Sequence, residues 1–143
     1  MTKETAKICK EYTGEVAVSW YREAHTEQAV KLLQAEVKTN IHYVFGNNTI
    51  DEAVDRLINQ DFSGKINAVI FLLHKPVGMG EQANVLKIGN PRVRRFFEII
   101  DASKFDFKIG FDSCSCAGII NFAPNINRNS IDYCEGARAS VVI

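Results

Sequence analysis

The sequence lacks any long hydrophobic run: its longest uninterrupted apolar stretch is Ala68–Leu73, far short of the ~20 residues a membrane-spanning helix needs. A membrane partner is therefore not expected. It also lacks an excess of charge of either sign, with 17 basic residues against 17 acidic ones. No net field draws the molecule to nucleic acid or to an anionic surface, so a nucleic-acid partner is not expected either. The first ten residues, MTKETAKICK, alternate charge with small side chains and hold nothing like the apolar core of a secretion signal. That implies a cytoplasmic protein whose four cysteines are thiols or metal ligands rather than disulfides. Low-complexity linkers are absent, as is any internal repeat beyond a βα unit. Several catalytic signatures are missing too. Without a GxxxxGK[ST] or GxGxxG phosphate loop, Lys75, Arg92, Arg94 and Arg95 read as solvated charges. With no GxSxG elbow and no HExxH helix, serine-hydrolase and zinc-protease chemistry are set aside.

What remains is an ordinary globular composition, 46% apolar and 24% charged over 143 residues, enough for one domain that buries about 70% of its unfolded surface. The pattern predicts a helix over 2–12, with Thr2 as N-cap and a left-handed C-cap at Gly14. A strand over 16–20, covered on both faces, follows. Next come a helix over 24–37, with Ala29, Val30, Leu32, Leu33 and Val37 inside, and a strand over 40–45. The segment from Asn48 opens with a capping-box pattern, Asn48 or Thr49 ahead of Asp51 or Glu52, and places Ile50, Ala53, Val54, Leu57 and Ile58 on one helical face. Residues 66–73 read as a fully buried central strand, followed by a long loop, a helix from Pro91 and a strand over 107–112. After Asp112 helical periodicity fades, and one late strand is expected over 139–143. Helices alternating with short apolar strands specify an α/β architecture, a parallel sheet or part of a barrel.

In such folds functional groups gather at the C-terminal ends of the strands. That rule selects Ser19, Trp20, Tyr21 and Arg22, then His42 and Tyr43, then His74, Lys75 and Pro76, then Asp112, Ser113 and Cys114. His42, alternating with Ile41 and Tyr43, reads as an interior residue. Cys114, Cys116 and Cys134 offer three soft thiolates suited to zinc or to an iron–sulfur cluster, or else are small side chains in a loop. Cys9, on the leading helix, reads as structural.

The runs VAVSWYR, TNIHYVFGNNTIDEA, INAVIFLLHKPVGMG and FKIGFDSCS, followed by YCEGARAS, together resemble the later strands of radical S-adenosylmethionine (SAM) enzymes. Within that family the likeness is to members carrying a SPASM-type extension with auxiliary 4Fe–4S clusters. The resemblance implies that residues 1–112 form half of a TIM-like partial (β/α) barrel and that residues 113–143 begin the irregular C-terminal extension. It implies a SAM site at the strand ends: Ser19 at the ribose, Arg22 near the carboxylate, Tyr43 and Val44 beside the adenine, and Leu73, His74 and Pro76 packing their backbone against it. Cys134 matches the first cysteine of the auxiliary-cluster motif, and Cys114 sits where a cysteine approaches a cluster. The family's CxxxCxxC loop, which binds the SAM-cleaving 4Fe–4S cluster, has no counterpart in the sequence. The resemblance thus implies a fragment of a peptide- or protein-modifying radical SAM enzyme, holding no cofactor and performing no catalysis by itself, whose partner is the missing N-terminal half. A second reading is a small α/β binding or assembly module that pairs with another chain through an open sheet edge.

Overall fold

The computed structural model describes residues 1–21, 24–62 and 64–130. Helix α1, Lys3–Tyr12, starts where Thr2 accepts the Thr5 N–H through Oγ1 at 3.2 Å, the cap its residue type favours. Its far end departs from expectation. Instead of a left-handed turn at Gly14, Thr13 takes the C-cap in an extended conformation, and its hydroxyl donates to the Cys9 carbonyl at 2.7 Å. A side-chain donor thus satisfies the terminal carbonyl that a left-handed glycine otherwise serves.

Strand β1 is Glu15–Ser19, helix α2 Ala24–Gln34, strand β2 Lys38–Phe45, helix α3 Ile50–Asn59, strand β3 Ala68–Leu73, helix α4 Pro91–Ala102 and strand β4 Lys108–Phe111. Helix α2 stops short of residue 37 because the N–H groups of Glu36 and Val37 both turn back to the Leu33 carbonyl. One further helix, α5 over Cys116–Phe122, lies where fading periodicity predicts none. Gly118 lowers its intrinsic propensity. Tertiary packing compensates: Gly118 and Ile119 are buried, and a side chain added at Gly118 would collide with the Phe97 ring.

The four strands pair in the order β1-β2-β3-β4, all parallel. In this sequential order, unlike a doubly wound sheet whose order reverses, the connecting helices have no reason to change face. Burial agrees. Ile41, Tyr43, Phe45, Val69 and Phe71 point to one face and form a single core with Val30 of α2, Leu57 of α3, Phe96 and Phe97 of α4 and Ile119 of α5. Phe96 stacks on Phe45 with ring centroids 4.9 Å apart and meets Phe71 edge-on at 5.0 Å, geometries that aromatic quadrupoles favour. Ala6, Leu33 and Val37 extend the same face toward Val16 and Val18.

The opposite face is open among the described residues. Along it the register aligns Ser19 with His42, His42 with Ile70 and Val44 with Leu72. Ser19 and Val44 are exposed, and His42, Ile70 and Leu72 are half-buried. β1 is therefore covered on one face rather than two, and β3 is central without being fully buried. The β-branched and leucine side chains that suggest a doubly covered strand line this open wall instead. Ile58 also departs from its expected place, lying 55% exposed on the outer side of α3. The expected strand over 139–143 lies outside the described residues.

Candidate functional site

At the C-terminal edge of the sheet the β3 and β4 ends meet. The His74 N–H donates to the Phe45 carbonyl at 3.0 Å and the Asp112 N–H to the Phe71 carbonyl at 3.1 Å, so the ladder continues one residue past each strand. Lys75, just past the end of β3, reaches across to Asp112, with Nζ 3.3 Å from Oδ2. The other carboxylate oxygen of Asp112 accepts the Ser115 hydroxyl at 2.8 Å, and the Ser115 N–H closes a turn onto the Asp112 carbonyl at 3.0 Å. Cys114 lies inside that turn, exposed. The Cys114 sulfur, together with Asp112, holds Lys75 above the ordinary lysine value, partly offset by burial.

The loop between β3 and α4 covers this edge. Gly78 turns it through a left-handed conformation, φ +59°, which glycine adopts without strain. The His74 ring is tied through Nε2 to the Glu81 carbonyl at 3.0 Å. Asn47, just past β2, donates its N–H to the Asn84 carbonyl at 2.9 Å. Gly46 lies so close to the loop that an added Cβ would come 2.8 Å from the Asn84 carbonyl oxygen and 3.0 Å from the His74 Cβ. Arg92 then locks α4 to α3: it holds both Asp51 oxygens, at 2.9 and 2.5 Å, and reaches the Asn47 side-chain and main-chain oxygens, each at 2.8 Å. A planar guanidinium suits this forked arrangement.

The residues picked out by the sequence distribute themselves unequally. Ser19 and Val44 reach the open face near the strand ends, with half-buried His42 beside Ser19. Tyr43 points the other way, into the core, and donates its hydroxyl to the Thr49 carbonyl at 3.2 Å. Leu73 lies half-buried on the helix side, beside an apolar cavity of about 90 Å³ that Phe45, Leu86, Val93 and Cys114 also line. Pro76 is exposed in the covering loop. Arg22 and Cys134 lie outside the described residues. Neither the Arg92–Asp51–Asn47 junction nor the seat of Ser115 on Asp112 is signalled by spacing, since Arg92 stands 41 and 45 positions from its partners. Lys75, Asp112 and Cys114 are brought together at one edge, with His74 next in the chain but turned to Glu81.

Among the described residues no three His, Cys, Asp or Glu side chains converge into a group able to hold a metal. No helix among the described residues is long and apolar enough to cross a membrane. Compared with protein-family models, curated proteins and solved structures, the chain matches none.

Proposed function

We propose that this chain is the C-terminal half of a cytoplasmic radical SAM (β/α) barrel, complete only with a segment that supplies the first strands and the cluster cysteines. The observation that carries the reading is the one-sided sheet. Four parallel strands stand in sequential order with their helices packed on one face, and among the described residues the other face is left open with Ser19, His42 and Val44 near its C-terminal edge. A barrel wall built on this plan would receive its ligand at the interior and the strand ends, which supports the reading.

The residues present fit the adenosyl part of SAM. The exposed Ser19 hydroxyl is a donor and acceptor for ribose hydroxyls. Val44 and Leu72, side by side on the open face, offer an apolar platform for a planar base. Tyr43 and Leu73 contribute backbone rather than side chain, because both side chains face the helices. Bound SAM supplies an activated sulfonium to whatever cluster reduces it. The sequence carries no CxxxCxxC loop for that cluster, so in this reading the chain's own part is to bind and orient the nucleoside. The edge of β1 carries no further strand among the described residues, and in this reading the preceding strand of a complete barrel pairs there, which makes the N-terminal half the proposed partner. Substrate choice belongs to segments outside this wall.

Equilibrium dialysis of the intact chain against radiolabelled SAM tests the reading. Weak, saturable binding that S-adenosylhomocysteine competes away and Ser19→Ala with Val44→Asp abolishes is expected. Binding unaffected by both substitutions, or none at millimolar ligand, contradicts it.

A further inference from the structure

Between the ends of β2 and β3, helices α4 and α5 and the covering loop lies the apolar cavity of about 90 Å³, bordered by Phe45, Leu73, Leu86, Val93, Phe97 and Cys114. At ~30 Å³ for each water-sized group it has room for about three. Walls of aliphatic and aromatic side chains offer water few partners and suit a small apolar group instead. Among the described residues around it only Cys114 and Ser115 carry polar side chains, and the Ser115 hydroxyl is committed to Asp112 at 2.8 Å. Cys114, exposed, is therefore the nucleophile this cavity presents. Cys116 borders a separate groove with Ile109 and Ile119 instead, and Cys9 is half-buried on α1.

Outside the cavity, beside Cys114, stands the Lys75 ammonium, tied to Asp112 at 3.3 Å with its side chain 50% exposed. The Cys114 sulfur, and after it Asp112, holds this ammonium above the ordinary lysine value, so a cation neighbours the thiol throughout the neutral range. A soft sulfur nucleophile, a cation and an apolar recess match the three parts of an α,β-unsaturated carbonyl compound: its electrophilic β-carbon, its carbonyl oxygen and its alkyl tail.

We infer that the cavity and Cys114 form a covalent capture site for a short α,β-unsaturated aldehyde, with a tail of about three carbons in the cavity and the carbonyl oxygen at Lys75. The thiol proton leaves to solvent as Sγ bonds to the β-carbon. The C=C π pair shifts to make an enolate, whose oxygen the Lys75 ammonium stabilises. Water then returns a proton to the α-carbon. The net change is addition of S–H across C=C, with no oxidant, reductant or leaving group. The site lies on the helix side of the sheet and is independent of the SAM reading, which uses the open face.

The test exposes the intact, reduced chain briefly to unbranched 2-enals of increasing length, from crotonaldehyde to 2-decenal. Adducts are mapped by peptide mass spectrometry, and each rate is divided by that of free glutathione with the same enal. Cys114 should be the main site, its relative rate peaking near 2-hexenal at about tenfold above crotonaldehyde, because the propyl tail fills the cavity. The 2-hexenal adduct should shift the methyl signals of Leu73, Leu86 and Val93 in NMR spectra. Lys75→Met should slow every enal alike and keep the length preference, whereas Val93→Phe, which fills the cavity, should erase the preference while Cys114 still reacts. If Val93→Phe fails to fold, the length series and the methyl shifts of the native chain decide alone. A rate at Cys114 that follows glutathione at every length overturns the inference, as does labelling concentrated at another cysteine.

Discussion

Lys75 at the end of β3 and Asp112 at the end of β4 join the two strand termini, Nζ 3.3 Å from Oδ2. The lysine side chain is 50% exposed, so solvent screens the pair and its net worth is below about 1 kcal/mol. Asp112→Asn should therefore cost little in urea denaturation, and added salt should shrink the difference. A loss that salt leaves untouched would assign the effect to the Ser115 hydrogen bond instead.

The same contact has a definite pH sign. Lys75 is raised above 10.5, first by the Cys114 sulfur and then by Asp112. A folded-state value above the unfolded one means that the stabilisation is fully present below the ordinary lysine value and is lost as pH rises through the raised one. The stability gap between the native chain and Lys75→Met should thus be flat through neutral pH and narrow only in alkali. In Cys114→Ala the Lys75 titration, read from its 13Cε shift, should move down. An unmoved midpoint contradicts this arrangement.

Thr49 closes the β2–α3 turn rather than capping the helix by the expected box. Its hydroxyl accepts the buried Gly46 N–H at 2.8 Å and donates to the Val44 carbonyl at 3.0 Å, and it makes no side-chain cap bond. Thr49→Val, which keeps the shape and removes the hydroxyl, leaves Gly46 without that acceptor and should cost about 1–3 kcal/mol. Thr49→Ser should keep most of the stability. Equal losses in chemical denaturation would refute this role.

Gly118 lets α5 approach α4 so closely that a methyl group there meets the Phe97 ring. Gly118→Ala, stabilising in an exposed helix, should here destabilise by about 1–3 kcal/mol through overpacking. Gain of thermal stability in calorimetry would show that the helices separate freely. The double variant Gly118→Ala/Phe97→Leu should recover part of the loss.

The strands were legible because VAVS, NIHYVF and AVIFLL are apolar or β-branched runs between amphipathic segments, and the alternation alone implies their parallel, sequential pairing. That one face of the sheet stands open among the described residues was not legible. Ile70 and Leu72 read as buried on both sides, since a strand in an open wall and one in a double-covered sheet carry the same side chains. Helix α5 escaped because Gly118 and Asn121 break its pattern and its stability comes from Phe97, a partner distant in sequence. At the strand ends the alternation pointed to Lys75, Asp112 and Cys114, which do meet, and to His74, whose ring turns to the Glu81 carbonyl instead. It put Tyr43 beside them, although the pleat turns its side chain into the core: neighbours in a strand face opposite ways.

The central claim is that the open face of the sheet receives the adenosyl group of SAM. Its most direct measurement is a 1H–15N chemical-shift titration of the intact chain with S-adenosylmethionine. The account predicts fast-exchange shifts concentrated at Ser19, His42, Val44 and the Leu73–His74 backbone, with the helix-side core unmoved. Shifts absent at millimolar ligand, or gathered on the helices away from the open face, would contradict it.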